Sequence, residues 1–141
     1  MEGQVQKLKP NEVEAANRGE VTAILIRLGY QVYRPEADVG GVDLLVRKPC
    51  GKLLDVQLKG RLTVNFGAYG GDPPIWMLFP HATWKFNGVR RWFLVPHNHL
   101  YAEMEKRHGK AKGWRQAWSV STPAKAVLEF LGPYEIGKGR A

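Results

Sequence analysis

Residues 42–59 read VDLLVRKPCGKLLDVQLK. Two apolar-rich runs, 42–47 and 52–60, flank Lys48-Pro49-Cys50-Gly51, a cluster of turn formers, so the stretch predicts two antiparallel strands joined by a tight turn. The second run alternates, with Leu54, Val56 and Leu58 on one face and Asp55, Gln57 and Lys59 on the other. A loop made of Pro49, Cys50 and Gly51 pairs Lys48 with Lys52 and, counting back, sets Asp43 opposite Gln57. A carboxylate, an amide oxygen and an ammonium then share one patch.

Upstream of this hairpin, residues 1–10 read as a flexible tail. Asn11 is expected to cap a helix over roughly 11–28, with Glu12 and Glu14 near its positive end. Ala16, Val21, Ile24, Leu25 and Leu28 recur at helical spacing, and Gly29 offers a stop. A short strand over 31–34 leads into the hairpin. Downstream, residues 60–74 carry Gly60, Gly67, Gly70, Gly71, Pro73 and Pro74 and read as a long loop without regular structure, a flexible arm beside Arg61 and Asn65. Strands follow over 75–79, 91–95 and 114–120. Asn98 is expected to cap a helix over 99–108 stopped by Gly109, and Thr122-Pro123 opens a last helix ending near Leu131. The chain is therefore expected to form one α/β domain over 11–135, with a central mixed sheet, the first helix on one face and later helices flanking it. Residues 136–141 make a second tail.

The 141 residues suit a single core. No apolar run approaches the roughly 20 residues that cross a bilayer. The polar start MEGQVQKLKPNEVEAANRGE lacks the apolar stretch of a secretory signal, so a cytoplasmic protein without membrane contact is expected. One cysteine, Cys50, excludes an internal disulfide and is a poor seed for zinc. The net charge of +8 is uneven: residues 1–60 carry nine Lys/Arg against eight Asp/Glu, residues 61–141 twelve against five. A basic second half predicts a phosphate-binding surface. Arg61, Asn65, Trp84, Lys85, Arg90, Arg91, Lys110 and Lys112 are the candidate contacts. The bland alternative is a solvated cationic surface with no polyanion partner.

Two spellings mislead. His97-Asn98-His99 reads HNH, but three consecutive residues at a helix start cannot converge on one metal, so His97 and Asn98 are expected as cap and surface residues. Gly67–Gly71 has no following Lys-Ser/Thr and is no phosphate loop. Trp76, Trp92, Trp114 and Trp118 fall in expected strands and read as core; Trp84 lies in a loop where a base could stack on it.

Phosphodiester hydrolysis needs a hard cation on oxygen ligands, a water activated beside it and positive charge against the developing pentacoordinate phosphate. Asp43 and Gln57 offer oxygens, the Leu58 carbonyl a further one, and Lys59 a group to orient or deprotonate water and to stabilise the transition state. Glu20 completes the set if the first helix packs on the hairpin. The competing reading is an exposed strand face whose charges keep an edge soluble, with Glu20 as an ordinary solvated residue.

RGEVTAILIRLGYQVYRP, GGVDLLV and GKLLDVQLKGR, spanning roughly Asn17 to Arg61, resemble the core of the PD-(D/E)xK nuclease superfamily. That core is a helix carrying an acid, then a hairpin carrying Asp and an acid-x-Lys. The resemblance puts Glu20, Asp43, Gln57 and Lys59 on the helix acid, hairpin Asp, second ligand and lysine. The layout is similar to the Val-Gln-x-Lys branch, which includes group I intron-associated homing endonucleases, and to Holliday junction resolvases. Val42 stands where the motif has proline, and Gln57 replaces a carboxylate, removing one negative charge. The resemblance implies a restriction-endonuclease-like core, a Mg²⁺-dependent DNA endonuclease that can also use Mn²⁺, and a homodimer or homotetramer. The alternative is a non-catalytic nucleic-acid-binding module on the same fold.

Overall fold

Pro10 is the first residue of helix α1 (Pro10–Arg27), one position ahead of the expected start. Proline's missing N–H costs nothing there, and the Glu12 carboxylate accepts the Lys9 N–H at 2.9 Å, so Lys9 holds the cap position expected of Asn11. The helix ends as expected. Gly29 adopts φ +88°, and the N–H groups of Gly29 and Tyr30 donate to Ile26 and Leu25 (both 3.0 Å), the two bonds that close a helix through a left-handed glycine. The structure, a computed structural model, describes residues 6–37 and 40–137, so residues 1–5 and 138–141 of the two expected tails lie outside the described residues.

The remaining elements are β1 (Gln31–Tyr33), β2 (Leu44–Arg47), β3 (Leu53–Leu58), β4 (Leu62–Asn65), α2 (Phe66–Tyr69), β5 (Trp76–Pro80), β6 (Trp92–Pro96), α3 (His97–His108), β7 (Ala117–Val120) and α4 (Lys125–Leu131). The central mixed sheet runs β1-β2-β3-β5-β6, antiparallel throughout except where β5 lies parallel to β3. In the hairpin Leu45 faces Asp55 and Arg47 faces Leu53. The Lys48 N–H donates to Lys52 at 2.8 Å, which is the expected register.

The sheet buries the face toward α1 along β2, β3, β5 and β6, and the other face at β5 and β6. Leu44, Val46, Leu54, Val56, Leu58, Leu78, Trp92 and Leu94 meet Val21 and Leu25 of α1. Met77, Phe79, Phe93 and Val95 meet Leu100, Tyr101 and Met104 of α3 and Val127 and Leu131 of α4. Each such side chain contributes about 1.5–3 kcal/mol on leaving water. Ile136, beyond the expected boundary at 135, also packs against the α1 core and its N–H donates to Trp92 (2.9 Å).

Residues 60–74 correct the expectation of an unstructured loop. Leu62 and Val64 are fully buried, and β4 pairs antiparallel with β7, Thr63 opposite Ser119 and Val64 opposite Trp118. Four alternating residues ahead of the glycines are enough for a strand once a partner 50 residues on covers it. The strand expected over 114–120 is shorter, with Trp114 packed on the core outside it. Helix α3 starts at His97, so Asn98 lies inside the helix. Among the described residues no helix is long and apolar enough to cross a membrane.

Candidate functional site

Strand alternation puts Asp43, Gln57 and Lys59 on the sheet face away from α1, because their neighbours Leu44, Val56 and Leu58 all pack into the α1 core. All three sit at one end of the sheet, where β3 and β5 reach their carboxyl ends and β2 begins. Open sheets commonly bind ligands at that end.

The Gln57 Nε2 and the Leu58 N–H both donate to Asp43 Oδ2 at 3.2 Å. Gln57 is 9% exposed, yet its Oε1 is buried and has no hydrogen-bond partner. Turning the amide over would set Oε1 against the Asp43 carboxylate, acceptor against acceptor, so the orphan is not removed that way. An unpartnered buried carbonyl oxygen costs about 1–3 kcal/mol and fits a cation ligand. Lys59 Nζ lies 5.4 Å from the centre of the Tyr69 ring. Tyr69 in turn closes on the segment before Asp43: a Cβ at Gly41, where φ is +80°, would stand 3.2 Å from the Tyr69 ring. Sequence reasoning missed Tyr69, which carries no motif and lies 26 positions from Asp43.

Glu20 lies on α1, which packs on the other face of the sheet, and its hydrogen bonds are to Arg90 and Trp92. Its carboxylate accepts from Arg90 Nη2 (2.8 Å) and Nε (3.2 Å) and from Trp92 Nε1 (2.8 Å). Burial alone would raise the Glu20 carboxyl, but the hydrogen bonds from Arg90 and Trp92 and the Arg90 charge outweigh it and hold the group below its ordinary range. Arg90 also donates to Asn17 Oδ1 (2.6 Å) and the Ala82 carbonyl (3.2 Å) and lies 4.9 Å over the Trp92 ring. Asn17 is one helical turn before Glu20, and a Cβ on Gly60 would stand 3.1 Å from its side-chain nitrogen. Helix α1 therefore approaches the chain immediately after Lys59.

This overturns the expectation that Arg90 belongs to a phosphate-binding surface: its side chain is 4% exposed, with its donors committed inside. Arg91 is half-buried and bonded to Glu135 through Nε (3.2 Å) and Nη2 (2.8 Å). Arg61, Asn65, Lys85, Lys110 and Lys112 are exposed. Trp84 is half-buried under Lys85, whose Nζ lies 5.8 Å over the ring. Asn65 caps α2 by accepting the Ala68 N–H (3.1 Å).

His97 is no surface residue either. It is fully buried, its Nε2 accepts the Asn65 N–H (3.0 Å) and its Nδ1 meets Asn98 Oδ1 (3.1 Å). An accepting Nε2 fixes the neutral ring with its proton on Nδ1. Burial lowers the His97 pKa, against a smaller opposite effect of Asn98.

No protein-family model and no curated protein matches the chain. The structure is similar to the solved structure of a bacterial homing endonuclease, I-Ssp6803I, with a TM-score of 0.53 at 13% identity over 89% of this chain and 95% of that one. At that identity the likeness is one of fold.

Proposed function

We propose that this chain is a metal-dependent DNA endonuclease of the Val-Gln-x-Lys branch of the PD-(D/E)xK superfamily. The observation that carries the reading is the buried, unpartnered Gln57 Oε1 set beside the Asp43 carboxylate and the Lys59 strand position. The fold shared with a bacterial homing endonuclease supports it. Asp43, Gln57 and the Leu58 carbonyl would hold a Mg²⁺ or Mn²⁺ ion, with Glu20 joining from α1. Such an ion, when bound, supplies Lewis acidity and lowers the pKa of water beside it.

The chain's own residues do the rest. Asp43 brings the one formal negative charge of the hairpin pair, and Gln57 adds an oxygen without a second charge. Lys59 holds positive charge at the strand end, where it orients the attacking water and stabilises the developing phosphorane. Cutting both strands of a duplex needs two such sites, which favours a homodimer or homotetramer. A non-catalytic DNA-binding module is the second reading, favoured by one observation: Arg90 and Trp92 already engage the Glu20 carboxylate.

Cleavage of supercoiled plasmid and of a branched junction by wild type and Lys59→Ala, with Mg²⁺, Mn²⁺ or EDTA, separates the two. Nicking or linearisation by wild type with metal, and none by the variant or with EDTA, is the expected result. Salt-sensitive binding without turnover, unchanged in Lys59→Ala, would establish the binding module instead.

A further inference from the structure

The β4–β7 pair is a two-stranded ribbon with a split character. Leu62, Val64 and Trp118 face the core, which leaves Thr63, Asn65, Ala117 and Ser119 on the outer face, paired across the strands as Thr63 with Ser119 and Asn65 with Ala117. Half-buried Thr63 donates its Oγ1 proton to the Arg61 carbonyl (3.0 Å) and lies 3.4 Å from the exposed Ser119 Oγ, so toward a ligand it offers its lone pairs. The side chains are small and polar, so a ligand can approach close to the backbone. No Asp or Glu occurs from Val56 to Gly71, which contains β4, or from Lys106 to Leu128, which contains β7 and six basic residues.

The ribbon is also tied to the candidate site. Only Gly60 and Arg61 separate Lys59 from Leu62, at most about 10 Å of extended chain. Tyr69, at the end of the helix that β4 feeds, lies against Lys59. The major groove of duplex DNA accepts a two-stranded ribbon and displays a donor and acceptor pattern unique to each base pair. Hydroxyls and amides can read that pattern; Lys and Arg beside it meet phosphates and fix the register.

We infer that the outer face of the β4–β7 ribbon enters the major groove of duplex DNA and reads bases, while Arg61, Lys110 and Lys112 hold the flanking phosphates. The inference rests on the endonuclease reading for its choice of polymer. Asn65 contributes through its Nδ2, because its Oδ1 already accepts the Ala68 N–H. Arg115 is partly committed, its Nη1 donating to the Lys112 and Trp114 carbonyls (both 3.0 Å), and so stiffens the link instead of reading.

The test labels the full chain with a photoactivated, thiol-linked cross-linker at two positions and mixes it with a random-sequence duplex library. One label is on Cys50, exposed at the hairpin tip on the opposite end of the sheet; the other is on Ser119→Cys in a Cys50→Ser background. DNA adducts at position 119 in clear excess over position 50 are expected. Without labels, the Thr63→Ala/Ser119→Ala variant is expected to enrich different sequences from wild type, with about tenfold loss of preference at one or more base pairs, and Lys110→Ala/Lys112→Ala to bind all sequences more weakly. Ser119 is exposed and Thr63 half-buried, and an unchanged melting temperature verifies the fold.

No excess at position 119, adducts between protein copies in place of DNA, or the same enriched sequences from ribbon variant and wild type would each overturn the inference. Because binding is read without cleavage, the two proposals fail separately. Cross-linking at 119 without cutting removes the endonuclease and keeps the ribbon; metal-dependent cutting without it does the reverse.

Discussion

A neutral amide at position 57 changes the charge balance of the hairpin patch, and the surrounding residues show how the protein manages it. With one carboxylate in contact, Asp43, the pair holds together without an ion through the Gln57 donor. Two carboxylates there would repel until one took a proton. Arg90 acts elsewhere, as the internal counter-charge of Glu20. Removing one partner of a buried pair costs about 3–5 kcal/mol; Glu20 is 38% exposed and can hydrate, so Arg90→Met is expected to cost about 2–3 kcal/mol at neutral pH by denaturant unfolding. Glu20 has a lowered pKa in the folded state, so the stability it gains is present above its ordinary value of 4.5 and is lost as pH falls through the lower folded value. The gap between wild type and Arg90→Met should therefore narrow only below pH 4.5, the bonds from Arg90 to Asn17 and Ala82 keeping part of it. Tyr69 supports Lys59 by cation–π contact, worth about 0.5–2 kcal/mol. Tyr69→Leu is expected to slow cleavage by about 2- to 30-fold, while Tyr69→Phe, which keeps the ring, stays near wild type; equal rates for both variants would remove this role. The Asp43–Gln57 contact was legible because a tight turn fixes the register by counting. The burial of Arg90 was not: one arginine in a basic stretch carries no periodic mark, and its partners Asn17 and Glu20 are 70 or more positions away.

Among the elements, α1, the hairpin and the last helix could be read locally, α1 from its periodicity and its closing Gly29, the hairpin from its turn and the last helix from Thr122-Pro123 just before it, though the starting caps fell on Lys9 and Ala124. The β4–β7 ribbon could not: β7 lies within the strand expected over 114–120, but β4 is too short to announce itself and the pairing joins residues 62–65 to 117–120. Glycines at 67, 70 and 71 belong to the segment after the strand and obscure the alternation before it. Helix α3 fastens this ribbon through His97, whose ring accepts the Asn65 N–H. His97→Leu leaves that donor unsatisfied and is expected to cost about 1–3 kcal/mol. The folded His97 pKa lies below its ordinary value of 6.5, so wild-type stability is complete above pH 6.5 and declines as pH falls through the folded value. Stability measured across pH 5–8 should decline less steeply on acidification in the variant. Some slope should remain, since burial also holds His81 low. A parallel pH profile in wild type and variant would show that His97 does not titrate this way.

At the scale of the whole molecule, the mixed sheet with helices on both faces follows the expected class, and the likeness to a bacterial homing endonuclease extends across 89% of the chain. The charge is divided between two tasks that composition alone merges. Arg90 and Arg91 are held by Glu20 and Glu135, while Arg61, Lys110 and Lys112 remain at the surface beside the ribbon. Pairing of Arg90 and Arg91 leaves the net charge of +8 unchanged but removes both from the surface available to a polyanion. Everything proposed for the chemistry returns to whether the Asp43 and Gln57 oxygens hold a divalent ion. Electron paramagnetic resonance of Mn²⁺ titrated with the full chain, alone and with duplex DNA, tests that directly on wild type, Asp43→Asn, Gln57→Leu and Gln57→Glu. The account predicts bound Mn²⁺ for wild type, a loss of about tenfold or more in affinity for Asp43→Asn and Gln57→Leu, and equal or tighter binding for Gln57→Glu, which restores the missing charge. Indistinguishable Mn²⁺ signals from wild type and Gln57→Leu, or no bound Mn²⁺ in wild type with DNA present, would contradict it.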